Sequence, residues 1–343
     1  MRDIRKARLL GGAALLWLAL PAGAAPFSNL YFFGDSLTDS GNIYDLTVGL
    51  YPPAPYDSGR FSNGPVWAET FAELKGFPAA GQHAGMTLGP NFLYFSKSGP
   101  GNNYAIGGAH TGFGGALDSY GIPSGVAMQT FFYLSRVNNT ADPNALYVLF
   151  GGANDIRDAA LLPSAERQAR AVESATYLAY SMYNLGVAGA RRFLVMNLPD
   201  IGATPESRLV RRNAADATEA TLVFNWALNY WMDQITFPGL ELFRLDTFAL
   251  FAMVYQDALN GGAQTGITNA TLPCFAGYAG SPGLDCSTSL FADDIHPTFA
   301  AHTLLAQSAS AAAQNPEPAT LLSVLSGLAV LGVYLRRRAR QAR

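Results

Sequence analysis

Four short apolar runs, each stopped by turn-forming residues, constrain this chain more than any other feature. Leu30 to Phe33 stops at Gly34, and Ala145 to Phe150 stops at Gly151-Gly152. Phe193 to Met196 stops at Asn197-Leu198-Pro199, and Leu240 to Leu245 stops at Asp246. Each is too short for a helix and reads as a strand. Between the second and third runs, Ala175, Leu178, Ala179 and Met182 fall at i, i+3, i+4 and i+7, and Ala171 and Val172 extend the stripe back by a turn. That spacing predicts a helix starting after Pro163-Ser164 and stopping at Gly186. Thr218 to Ile235, Thr247 to Leu259 and Pro65 to Leu74 also read as helices, and a last helix is predicted to begin at Pro297. Strand, helix, strand at this spacing implies an α/β fold, a parallel sheet with helices on both faces. Ligands of such sheets bind beyond the carboxyl ends of the strands, so the residues that follow each run are the ones to inspect. Residues 51 to 121 are rich in Gly, Pro, Asn and aromatics and read as long loops over that end.

Composition narrows the class. Apolar residues make up 49% of the 343 and charged residues 14%, enough to bury a large core and too apolar for general disorder. The net charge of −3 hides an asymmetry, because nine of the 22 basic residues lie at the two ends. The interior holds 13 basic and 23 acidic groups. An acidic body lacks the basic footprint that nucleic acid requires, so no nucleic-acid partner is expected. Two cysteines cannot form a disulfide-dense scaffold or a four-cysteine zinc site.

Both ends read as addresses. Arg2, Arg5, Lys6 and Arg8 precede the apolar run Leu9 to Leu20, which ends at Ala22-Gly23-Ala24, the pattern of a signal peptide over residues 1–24 cut by signal peptidase. At the other end Asn315-Pro316-Glu317-Pro318-Ala319-Thr320 precedes the apolar stretch Leu321 to Leu335 and then Arg336-Arg337-Arg338-Ala339-Arg340. This order resembles the PEP-CTERM sorting signal. That resemblance implies a 315–343 sorting segment, a transient membrane-anchored stage through a transmembrane helix, and processing by an exosortase-like enzyme. The body between them, residues 25–314, is expected to be one domain, exported to the cell surface or beyond. In an oxidising compartment Cys274 and Cys286 are expected to form a disulfide.

Four blocks stand out, two just past strand ends, one after the Gly-rich loop and one near the end of the body. They are Gly34-Asp35-Ser36-Leu37-Thr38-Asp39-Ser40-Gly41-Asn42, then Asn103-Tyr104-Ala105-Ile106-Gly107-Gly108-Ala109, then Gly151-Gly152-Ala153-Asn154-Asp155, and finally Asp293-Asp294-Ile295-His296-Pro297-Thr298. Each is ordinary alone. Together and in this order they resemble the GDSL (SGNH) esterase and lipase family. Ser58 to Trp67 and Asn197 to Pro205 resemble its plant-type and bacterial lipase-like members. The resemblance implies a three-layer α/β/α sandwich with a flavodoxin-like parallel sheet, and a carboxylic ester hydrolase that needs neither cofactor nor metal.

The chemistry is legible in the residues as well. Ester hydrolysis needs a nucleophile, a base and donors for the oxyanion. Ser36 lies just past a strand end. Of the four histidines, His83, His110, His296 and His302, only His296 has an acid three residues before it. Asp293 at that spacing can reach the imidazole and fix its tautomer, with Asp294 ranked second. The oxyanion donors are read as the backbone N–H of Ser36, the N–H of Gly107, whose missing side chain lets a carbonyl approach, and the Asn154 amide. Asp39 and Asn42 read as helix-capping residues, and His110 as a candidate pocket wall. No Gly-x-Ser-x-Gly elbow occurs, which excludes the common α/β-hydrolase arrangement. Three readings stay open: an esterase or lipase acting on lipid esters, an esterase removing acetyl groups from polysaccharide, and a non-catalytic glycan-binding protein on the same frame.

Overall fold

The computed structural model describes residues 27–88, 95–97 and 99–314. Both the signal peptide and the sorting segment read from the sequence lie outside the described residues. In chain order the elements are β1 (Leu30–Gly34), α1 (Asn42–Leu46), α2 (Trp67–Leu74), β2 (Met86–Leu88), β3 (Phe95–Lys97), α3 (Val126–Arg136) and β4 (Leu146–Phe150). There follow α4 (Ala153–Ala159), α5 (Ser164–Val187), β5 (Arg192–Met196), α6 (Ala214–Gln234), β6 (Glu241–Leu245), α7 (Thr247–Leu259) and α8 (Phe299–Ala312). Residues 27–313 form one compact unit.

Strands β1, β4, β5 and β6 pair in parallel in that order. Side-chain alternation sends successive residues to opposite faces. In β1, Tyr31 and Phe33 meet Tyr133 of α3 at ring-centroid distances of 4.7 and 5.7 Å. Phe32 between them meets Trp67 and Phe71 of α2 at 5.9 and 6.0 Å on the other face. Helices α3, α5 and α6 pack together on one side, and α2 packs with α8 on the other, giving the three layers. Strand β4 is buried at every position, as a central strand covered on both faces must be.

A ragged segment completes the sheet. Phe32 N–H donates to the Asn102 carbonyl, Tyr104 N–H donates to Phe32, and Ile106 N–H donates to Gly34. Residues 102–106 thus run along the free edge of β1, where a fifth strand of a flavodoxin-like sheet lies. They deliver Gly107 and Gly108 to the end of the sheet where β1 stops.

Two expectations need correction. The last helix begins at Phe299, not Pro297, because Thr298 takes the cap and its hydroxyl accepts from Ala301 N–H. Strands β2 and β3 pair within the 51–121 stretch read as loops, and helix α3 was not anticipated from the sequence. Among the described residues no helix is long and apolar enough to cross a membrane.

Candidate active site

The turn after β1 is built by Asp35. Its carbonyl accepts from Thr38 and Asp39 N–H, and its Oδ1 accepts from Leu37 N–H at 3.1 Å. Gly34 is required there, because a Cβ would stand 2.3 Å from the Phe150 carbonyl oxygen. The backbone N–H of Ser36 has no acceptor among the described hydrogen bonds. Its hydroxyl is 2.8 Å from His296 Nε2.

The Asp293–His296 segment is a turn closed by its own carboxylate. Asp293 Oδ1 accepts from the N–H of Ile295 at 2.8 Å and of His296 at 2.6 Å. Asp293 Oδ2 lies 2.5 Å from His296 Nδ1. The spacing of three residues therefore does bring the carboxylate to the ring. The Tyr56 hydroxyl donates to the same Oδ2. Phe61 covers the imidazole at a centroid distance of 4.9 Å, tilted by 30°. Burial pushes the Asp293 carboxyl up, but the charge and hydrogen bonds of His296 and the Tyr56 hydroxyl outweigh it, leaving it below the usual range. Burial, then the Asp293 charge and bond, push the Tyr56 phenol up, so it stays a donor.

The N–H groups left facing the cavity differ in part from the sequence reading. Gly107 N–H donates to Asp39 Oδ2 at 2.7 Å and is committed there. Gly107 is glycine for a packing reason, since a Cβ would sit 2.3 Å from the Phe61 ring. The next residue, Gly108, adopts φ +76° and its N–H has no described acceptor. Both glycines, Ser36, Asn154 and His296 line one cavity. Asn154 gives one amide hydrogen to the Ala109 carbonyl at 3.0 Å and keeps the other. Its Oδ1 accepts from Arg157 at 3.1 Å, and Arg157 is clamped by both carboxylate oxygens of Glu206 at 2.7 Å. That clamp fixes which edge of the amide carries the donor.

Asp39 caps α1 through Gly41, Asn42 and Ile43 N–H, and Asn42 ties α1 to the Asn103 and Ala105 carbonyls. Burial pushes both the Asp35 and Asp39 carboxyls up to about 6. Asp294 does not reach His296; its carbonyl instead accepts from Glu206 N–H. His110 does line the cavity and faces Asp158 at 3.1 Å. His302 is buried on α8, its Nδ1 accepts from Trp67 N–H, and burial lowers its pKa to about 3. Cys274 and Cys286 are bonded. Sequence reasoning missed Tyr56, Arg157 and Gly108. Arg157 stands three residues after Asn154 on one helix, a spacing that would have found it. Tyr56 lies in a loop with no period to read.

The chain matches the family described as GDSL-like Lipase/Acylhydrolase over residues 30–309. It is 28% identical to the phosphatidylcholine-sterol acyltransferase of Aeromonas hydrophila, over 88% of this chain and 94% of that protein. It is 30% identical to esterase EstA of Pseudomonas aeruginosa over 90% of this chain, and 28% identical to the thermolabile hemolysin of Vibrio parahaemolyticus over 80% of it. The chain spans 50% of that esterase and 61% of that hemolysin.

Proposed function

This chain belongs to the GDSL-like lipase/acylhydrolase family and is a carboxylic ester hydrolase, and we propose that Ser36 is its nucleophile, His296 its base and Asp293 the carboxylate that orients the base. The observation that carries this reading is the 2.8 Å contact between Ser36 Oγ and His296 Nε2, residues 260 apart in sequence. Serine is a weak nucleophile unless a base stands within hydrogen-bond reach. As Oγ attacks the ester carbonyl carbon, its proton passes to His296 Nε2. The negative charge on the former carbonyl oxygen meets the N–H groups of Ser36 and Gly108 and the Asn154 amide. Collapse breaks the bond to the alcohol, which leaves with the proton from His296, and the acyl group stays on Ser36. Water then attacks the acyl-enzyme, giving one proton to His296, and Ser36 takes that proton back as the carboxylic acid departs. Asp293 stabilises the imidazolium in both halves.

No member of this relay is missing, which disfavours a non-catalytic glycan-binding frame. The test is Ser36→Ala with a nitrophenyl ester and a fluorophosphonate label. Turnover is expected to fall about 10⁴-fold or more, and the label to leave residue 36 unmodified, with circular dichroism unchanged. Labelling of another serine with retained turnover would refute the assignment.

The chain is further read as exported. Supporting this are the bonded Cys274–Cys286 pair, which suits an oxidising compartment, and the sequence pattern of residues 1–24. The 315–343 segment is read as a sorting signal for membrane-linked processing, on its Pro-Glu-Pro, apolar, arginine order. Intact mass of the released protein tests both ends.

A further inference from the structure

The layer of α5 and α6 carries a face that no described element covers. In the second half of α5, Tyr177, Tyr180, Tyr183 and Val187 stand at i, i+3, i+6 and i+10, and all are exposed. That spacing keeps them within about a third of the helix circumference. On α6, Leu222, Trp226 and Tyr230 stand at i, i+4 and i+8 and are exposed too, Trp226 by 67%. The two stripes adjoin. Trp231 Nε1 donates to the Thr176 hydroxyl of α5 at 2.9 Å, the Tyr230 ring meets Trp231 at 5.3 Å, and Trp226 stacks on Tyr230 at 6.2 Å.

Charge is segregated away from this face. Helix α5 has no charged residue from Tyr177 to Val187, and α6 has none from Ala220 to Met232. The first halves hold the ions, where Arg167 pairs with Asp216 and Glu219, and Arg170 with Glu173. Scattered apolar residues on a surface need no explanation, but a contiguous patch of several hundred Å² does. The exposed parts of these side chains leave roughly 700 Å² open.

We propose that this face is the interface of a homodimer, in which α5 and α6 of one copy pack on the same helices of a second copy about a two-fold axis. The open area is close to the ~800 Å² that each partner gives to a standard stable interface. Interface cores favour Tyr and Trp and exclude Lys, Glu and Asp, as this face does. The interior of the chain holds 23 acidic and 13 basic groups, so two copies meet at least cost where neither carries charge. The absence of Lys and Arg disfavours an anionic lipid surface. Helices α5 and α6 start at the end of the sheet where β4 and β5 stop, so their later turns run away from Ser36. The dimer therefore leaves the site open in each copy, and assembly is separable from turnover.

The experiment is sedimentation velocity of the full chain over a concentration series. The wild type is expected to sediment at twice the mass of one chain and to dissociate on dilution. Trp226→Glu and Tyr180→Glu each put a pair of like charges into a two-fold interface, and each is expected to raise the dissociation constant about thirtyfold or more. Leu74→Glu changes an exposed residue of α2, across the sheet, and is expected to leave the constant unchanged. Circular dichroism and turnover of a soluble nitrophenyl ester are expected to match the wild type in all three, which separates loss of the dimer from loss of the fold. A wild type that stays monomeric throughout the series overturns the proposal. So does an association that survives both Trp226→Glu and Tyr180→Glu, which places the contact elsewhere in the chain, or one that only Leu74→Glu disrupts. A monomeric wild type that binds phosphatidylcholine vesicles or a neutral polysaccharide, and loses that binding in Trp226→Glu, also overturns it and gives the face to that occupant.

Discussion

The Tyr56 hydroxyl donates to Asp293 Oδ2, the same oxygen that meets His296 Nδ1. Tyr56 stands 237 residues before Asp293 and comes from a loop, yet it satisfies the buried carboxylate of the relay. Its ring packs against Phe275 at 5.3 Å, inside the disulfide-closed loop. The hydroxyl therefore couples the loop before α2 to the carboxylate we propose orients His296.

Tyr56→Phe keeps the ring packing and removes that donor. The Asp293 carboxyl, held below its usual range partly by Tyr56, then moves up. The expected outcome is an acid limb of the pH–rate profile displaced to higher pH, with kcat about tenfold lower at neutral pH and KM little changed. A profile of unchanged shape with only a lower melting temperature would mean that Tyr56 serves packing alone.

Arg157→Lys retains a charge and loses the two-pronged bond to Glu206, and with it the contact that orients Asn154. An amide free to rotate spends part of its time presenting oxygen to the oxyanion. Turnover is expected to fall by about ten- to a hundredfold, mainly in kcat. A rise in KM at constant kcat would instead assign Arg157 to substrate binding.

Asp35 predicts a pH-dependent stability. Its folded pKa of about 6 exceeds the ordinary carboxyl value, so the folded chain holds the proton more tightly than the unfolded chain. The stability this contributes is full below about pH 4 and is lost as pH rises through about 6. Asp35 Oδ2 has no hydrogen-bond partner among the described residues. Asp35→Asn is neutral throughout, so its stability relative to the wild type is expected to rise by about 1–3 kcal/mol between pH 4 and pH 7.5. Urea unfolding at the two pH values measures it, and a constant difference would contradict the charged-burial account.

Changing Cys274 and Cys286 to serine removes a bridge across 12 residues, worth roughly 3 kcal/mol by the loop-entropy argument. The effect is expected to extend to catalysis. Cys274 N–H donates to the Phe291 carbonyl at 2.8 Å and Phe275 N–H to Ala292 at 2.9 Å, immediately before Asp293. Turnover well below the melting temperature is expected to drop several-fold, since small displacements of the relay cost rate. Unchanged turnover there with a lower melting temperature would confine the bridge to stability.

What the sequence by itself determined was local and periodic. Four strands and the long helices α5, α6 and α7 were readable because apolar spacing reports which face is buried. The positions of Ser36 and Asn154 followed from looking just past the strand ends, where a parallel sheet gathers its ligands. The Asp293–His296 pairing was readable because three residues suffice to close that turn. Tertiary structure alone decided the rest. Gly107 and Gly108 are chemically identical in sequence, but residues 102–106 lie along β1 so that one N–H falls to Asp39 and the other is left facing the cavity. Tyr56 meets Asp293 only because a loop without a period folds over the end of the sheet. The cavity beside Ser36 exists because α7 turns one stripe of side chains toward the ends of β4 and β5. Spacing along a chain specifies which residues share a face, while the partner of that face is set by packing between segments far apart in sequence, which no local pattern encodes.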